Sequence, residues 1–226
     1  MKTTKVGFNL MLISGLVLSL SLSLSAQSGP VKYDLYTLFE NHKLEIFNRQ
    51  VVTFTENDKK GIRLSKNEND GVAWLKDVGF SNGTIELDIR GKDEFQQSFV
   101  GIAFHGVDNT TLDAIYFRPF NFQSVDPIRK VHALQYVSQP DKPWQVLREQ
   151  FPGIYEKAVT PAAGGNEWFH VKIIIKSPVV TVYFNGSKEP SLTVEKLNKR
   201  TTGKIGIWVG NNSGGDFANL QITPQN

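Results

Sequence analysis

The residues with the most chemistry in this chain follow one another between Tyr116 and Tyr136: Tyr116, Arg118, Phe120, Asn121, Phe122, Asp126, Arg129, His132, Gln135 and Tyr136. Flat aromatic rings can lie under the C–H faces of a sugar, while Asn, Asp, Arg and His side chains hydrogen-bond its hydroxyls, and both kinds are present here. An arginine fork can also grip a carboxylate or keto-acid group with two parallel bonds. Alternate residues share one face of a strand, so Tyr116 and Arg118 are expected on a common face, as are His132 and Tyr136. With Trp144 just downstream, the candidate ligand-binding set is Tyr116, Arg118, Phe120, Asn121, Asp126, His132, Tyr136 and Trp144. The competing role for the same residues is ordinary: core rings, and arginine–aspartate pairs at strand ends.

Proton transfer needs a base within reach of a carboxylate. Four histidines are available, His42, His105, His132 and His170. His105 and His132 stand where a strand meets a loop, and Asp113, Asp126 or Glu149 could partner them; Asp126, Glu149, His105 and His132 are the candidate catalytic groups. His170 lies on a regular strand and reads as structural. No His-x-x-x-His or cysteine spacing supports a zinc site, and no metal ligand is assigned.

Positioning falls to β-strands. Leu44–Phe47, Val51–Phe54, Gly61–Leu64, Gly71–Leu75, Gly83–Arg90, Phe99–His105 and Asp113–Arg118 are short runs rich in β-branched and aromatic residues, bounded by turn formers. Ile85, Leu87 and Ile89 alternate with Glu86, Asp88 and Arg90, the pattern of a half-buried strand. Four further runs, Glu167–Ile175, Val179–Gly186, Gly203–Gly210 and Asp216–Ile222, close the chain. Asn82-Gly83 and Asn185-Gly186 read as hairpin turns. Pro119–Gly165 breaks the rhythm with six prolines, and His132–Val137 and Trp144–Arg148 read as short strands inside it. Its aromatic content argues for an ordered excursion that walls a binding face or covers a sheet. The expected fold is all-β, a jelly-roll sandwich of two antiparallel sheets filling 39–226, after a leader at 27–38.

Lys2 and Lys5, the apolar Leu10–Leu24 and the small residues Ser23-Leu24-Ser25-Ala26 form a signal-peptide pattern with cleavage after Ala26. The apolar run is short for a membrane span and no positive stop-transfer cluster follows, so no span is expected after cleavage. There is no cysteine, hence no disulfide, which leans towards a secreted or periplasmic bacterial protein held by its core. Loss of Lys2 and Lys5 lowers the formal charge of +3 to +1, and the basic residues are scattered. Nucleic acid is therefore set aside as a partner, and the Lys199-Arg200 corner reads as a charged loop.

Asn82–Arg90, Glu167–Ile173, Val182–Gly186, Gly203–Trp208 and Asp216–Leu220, in that order, resemble the laminin-G-like members of the concanavalin A-like lectin/glucanase superfamily. The chain is also similar to bacterial secreted proteins grouped with 3-keto-disaccharide hydrolases, with Phe99-Val100-Gly101-Ile102 where those carry Asn-Ser-Gly-Ile. The resemblance implies a carbohydrate partner, bound in the leading reading and cleaved as a glycoside in the rival one. A third reading is an extracellular protein-interaction module. Glu86-Leu87-Asp88 matches the first half of the Glu-x-Asp-x-x-Glu strand of laminarinase-like relatives, but Gly91 replaces the last carboxylate, so this strand cannot supply a retaining pair. The resemblance also implies calcium as the one candidate cofactor, with oxygen ligands in Asp108–Asp113 and Asn211–Asp216.

Overall fold

The computed structural model of the protein describes residues 1–3 and 29–225. The signal-peptide pattern thus lies almost wholly outside the described residues. The first half of the chain runs β1 (Val31–Tyr33), α1 (Leu35–Glu40), β2 (Leu44–Phe47), β3 (Val51–Glu56), β4 (Lys59–Leu64), β5 (Gly71–Phe80), β6 (Asn82–Arg90), β7 (Val100–Gly106) and β8 (Leu112–Phe117). A 3-10 turn (Pro119–Asn121) leads to α2 (Pro127–Val131), β9 (Leu134–Gln139), α3 (Trp144–Gln150) and β10 (Glu156–Lys157). The remaining strands are β11 (Trp168–Lys176), β12 (Val179–Phe184), β13 (Leu192–Glu195), β14 (Gly203–Val209) and β15 (Gly215–Gln225).

They form two antiparallel sheets. The first has the order β13-β12-β11-β6-β15-β4-β3, with β1 added on β15; the second has the order β10-β9-β8-β7-β14-β5-β2. Alternation sets which side of each strand is buried. In β11, Phe169, Val171, Ile173 and Ile175 are buried while Trp168, His170, Lys172 and Ile174 are half-exposed. Between the sheets, Phe117 and Phe122 meet Phe169 and Phe184 with ring centroids 5.1 to 5.9 Å apart. Such tilted and edge contacts add to the area these rings bury.

Several local expectations change. Trp144–Arg148 is a helix, not a strand: it follows Pro143 as N-cap and buries only Leu147. His132 closes α2 as its C-cap, so β9 starts two residues later than expected. Asn82-Gly83 opens β6 instead of turning; Gly83 is needed because a Cβ there would stand 2.5 Å from the Thr223 carbonyl oxygen. Asn185 and Gly186 do form a turn, both with left-handed φ, 46° and 71°. The segment 27–38 carries β1 and the start of α1, and Asp34 caps that helix through Thr37.

Candidate functional site

Phe117 points between the sheets, so its neighbour Tyr116 points out of the second sheet. On that outer face, Glu156, Gln135, Tyr116, Gly101, Trp208 and Val72 lie directly opposite one another across β10, β9, β8, β7, β14 and β5. Gly101 has no side chain to separate its neighbours, which lets the Tyr116 and Trp208 rings meet with centroids 5.1 Å apart. The 3-10 turn, α2 and α3 belong to the excursion that packs beside this row, and Phe99 and Phe120 meet edge-on at 5.7 Å next to it.

Arg118 is the centre of the cluster. Its Nη2 donates to the Tyr116 hydroxyl at 2.7 Å and to Gln135 Oε1 at 2.6 Å, and its Nη1 donates to the His132 carbonyl at 2.8 Å. All these acceptors are neutral. Arg118 is 5 % exposed, and among the described residues it makes no ion pair. Burial pushes its guanidinium below the usual value, and burial pushes the Tyr116 phenol up. Two further buried donors on this row, Gln135 Nε2 and Trp208 Nε1, have no protein partner. A buried donor without an acceptor costs about 1–3 kcal/mol, so such groups call for an acceptor from outside the chain.

Glu156, 3 % exposed, accepts from Arg148 Nε at 3.2 Å and Nη2 at 2.9 Å. Its Oε2 also lies 2.7 Å from His132 Nδ1, a contact of hydrogen-bonding length but poor alignment. Burial pushes the His132 imidazole down from its ordinary value, outweighing the attraction of Glu156, so it is neutral near pH 7. Arg148 also lies over the Trp144 ring, 4.8 Å from its centroid, and Trp144 is 41 % exposed. At the far end of β9, Gln139 Nε2 donates to Asp70 at 3.0 Å, and burial raises the Asp70 carboxyl.

Of the residues expected from sequence, the structure gathers Tyr116, Arg118, His132 and Asn121, the last hydrogen-bonding Arg129 Nε at 3.2 Å. It sets four others apart. Tyr136 lies on the opposite side of β9 from Gln135, and its hydroxyl donates to Asp113 at 2.9 Å. Phe120 is packed between Phe95 and Phe99. Asp126 is an exposed helix cap that accepts from Ile128 N at 2.9 Å. Glu149 is exposed on α3 and makes no side-chain hydrogen bond among the described residues. The carboxylate that meets His132 is Glu156, in a two-residue strand with no sequence pattern to announce it.

His105 sits elsewhere again, fully buried at the end of the sandwich. Its Nε2 lies 2.6 Å from the Ser81 carbonyl oxygen and its Nδ1 2.6 Å from Lys196 Nζ. Both ring nitrogens are therefore committed, one donating and one accepting. Lys196 lies 3.4 Å from Asp113, which also takes Asn198 and, at 3.3 Å, Arg200. Next to the Lys199-Arg200 corner, Lys196 is plugged into the core, its side chain 1 % exposed, and Arg200 reaches Asp113, while Lys199 is exposed as a charged loop implies.

The loops weighed for calcium do not suit it. Asp108 accepts from its own Thr110 and Thr111 N–H groups at 2.8 and 2.7 Å, and Asp216 is held between Arg63 and Arg90. A cation at Asp216 would face two guanidinium groups. Among the described residues, no three His, Cys, Asp or Glu side chains converge as a metal-ligand set.

Residues 36–223 match the family model of the 3-keto-alpha-glucoside-1,2-lyase-like domain. The chain belongs to this family. No curated protein matches it. Among solved structures, it is similar to the carbohydrate-binding module CBM66 from Bacillus subtilis at 15% identity, covering 79% of this chain and 94% of that one with a TM-score of 0.58. It is also similar to a Bacillus subtilis protein of unknown function with a galectin-like fold, at 11% identity, 88% and 97% coverage and a TM-score of 0.58. A putative glycosyl hydrolase from Parabacteroides distasonis follows at 14% identity, 82% and 89% coverage and a TM-score of 0.51. Family and fold together place the chain in the concanavalin A-like superfamily.

Proposed function

We propose that this protein is exported and binds a saccharide on the outer face of its second sheet, at Tyr116, Arg118, Gln135 and Trp208. One observation carries the reading: two unpaired N–H donors, Gln135 Nε2 and Trp208 Nε1, are buried on one cross-strand row, and Arg118, which makes no ion pair among the described residues, is buried against that row through Tyr116 and Gln135. These donors ask for acceptor oxygens, and beside them the Tyr116 and Trp208 rings, 3 % and 4 % exposed, pack together as an apolar floor. The family description and the carbohydrate-binding module among the structural neighbours support a sugar as the ligand.

The Glu156–His132 contact favours a second reading, in which the sugar is cleaved. A 3-keto sugar has an acidic C2–H. Neutral His132, positioned through Glu156, can take that proton at Nε2, and the electron pair then moves into the carbonyl, whose oxygen gains negative charge. Arg118, Gln135 and Trp208 would stabilise that oxyanion. Collapse of the enolate forms a C1–C2 double bond and expels the glycosidic oxygen, which leaves with a proton from solvent.

Native mass spectrometry with a panel of oligosaccharides, including 3-keto-disaccharides, tests both readings. Retention of an intact sugar, lost in Arg118→Met and weakened in Trp208→Phe, is the expected result for binding. Split sugar, lost in Glu156→Gln and His132→Gln, is the expected result for cleavage. A folded protein that neither retains nor splits any sugar refutes both.

A further inference from the structure

A second set of cations lies on the outer face of the first sheet. Arg63, Asp216, Arg90 and Trp168 stand opposite one another across β4, β15, β6 and β11. Asp216, its side chain 8 % exposed, takes Arg63 Nε and Nη2 at 2.6 and 3.0 Å and Arg90 Nε at 2.8 Å, while Glu56 takes the Nη2 of both. The two guanidinium planes are therefore fixed, and among the described residues neither Nη1 donates a hydrogen bond. Against the cost of partial burial, Glu56 and Asp216 raise Arg90, and Asp216 raises Arg63, so both stay charged.

These arginines form one wall of a cleft of about 470 Å³, a size that suits a small ligand. Lys66 and Lys92 complete the cationic lining, against the carboxylates of Glu94 and Asp216. Lys66 is held only by the neutral amide of Gln97 and makes no ion pair among the described residues. Among the described residues, no aromatic side chain lines the cleft. Its remaining polar side chains are Ser65, Gln97 and Asn166.

We infer that this cleft is a separate binding site for a saccharide bearing an oxyanion, a uronate carboxylate or a sulfate ester. The anion sits between Lys66 and the free edges of Arg63 and Arg90. Arginines held rigid by a buried carboxylate lose little freedom when they bind, and an anion satisfies their remaining N–H groups. Gln97 and Asn166 are placed to meet sugar hydroxyls. This site stands on its own residues, and its ligand need not be the one bound by the second sheet.

The test is titration of the full protein, followed by NMR, with digalacturonate, a sulfated disaccharide, inorganic sulfate and a neutral disaccharide. The expected result is shifts confined to this cleft with an acidic sugar, and weaker shifts there with sulfate alone. The double variant Lys66→Glu/Lys92→Glu, both at exposed positions, weakens binding at least about tenfold by turning attraction into repulsion. Trp208→Phe leaves it unchanged. The uronate and sulfate arms decide which anion is preferred. Equal binding by wild type and the double variant, equal binding of the neutral disaccharide, or no shift with either acidic sugar overturns the inference.

Discussion

Replacing Asp113 by Ala isolates a charge in the core. Asp113 is fully buried, and Lys196, Arg200, Asn198 and Tyr136 all converge on it. Without it, Lys196 keeps only His105 and the Arg200 carbonyl, while its side chain stays 1 % exposed. Removing one member of a buried ion pair typically costs about 3–5 kcal/mol. For a chain of this size that is a fall in Tm of roughly 6–20 °C. Burial already lowers the Lys196 ammonium, and the loss of Asp113 lowers it further. A lysine whose folded value lies below its unfolded one shifts the balance towards folding as pH rises through that folded value, so the deficit of Asp113→Ala shrinks in alkaline buffer. The double variant Asp113→Leu/Lys196→Met replaces the pair with apolar volume and recovers most of the loss. Urea unfolding of Asp113→Ala, Lys196→Met and the double variant at two pH values is the assay. A single-variant cost below about 1 kcal/mol, or a double variant as unstable as the sum of the singles, refutes this account of the cluster.

On the first sheet, His170 Nδ1 lies 2.7 Å from Asp88, which also binds Lys59 and Asn219. Against desolvation, these hydrogen bonds hold Asp88 down at about 2, and Asp88 raises His170. Asp88 therefore contributes stability above about pH 4 that is lost as pH falls towards 2, and His170 contributes stability below about 6.5 that is lost as pH rises through its folded value. His170→Gln accordingly loses more stability at pH 5 than at pH 8.5 in urea titrations; the reverse order would contradict the pairing. Gly101→Ala drives a Cβ to 2.1 Å from the Ile115 carbonyl oxygen, so it destabilises by about 1–3 kcal/mol and parts Tyr116 from Trp208, which tryptophan fluorescence reports. Glu156→Gln removes the charge that favours protonated His132, so the imidazole titrates at lower pH than in wild type, read by NMR.

The strands were legible because alternation and turn residues are local signals: Ile85, Leu87 and Ile89 announce which face of β6 is buried without knowledge of its partners. The site was legible only in part. Tyr116 lies on β8 and Arg118 one residue beyond its end, still extended, so parity can be counted from one to the other. Parity fails for Tyr136, because α2 ends at His132 and resets the count before β9. Trp144–Arg148 has strand-like composition, yet Pro143 starts a helix there and a single leucine anchors it. Glu156 gave no signal, since a buried carboxylate in a two-residue strand is defined by Arg148 and His132, which approach it in space. Arg200 reads as solvated for the same reason: its acceptor, Asp113, is 87 residues away in the chain.

The place of β15 has a consequence for how the chain is made. This last strand lies inside the first sheet, between β6 and β4, and also carries β1. Arg63 waits for Asp216 across 153 residues of chain. Until β15 is synthesised, β6 and β4 each present an unpaired edge, and the sheet cannot close. Closure of this sheet therefore rests on long-range pairings, which slow folding. Deleting β15 leaves β6 and β4 without their shared partner, and splits the first sheet in two.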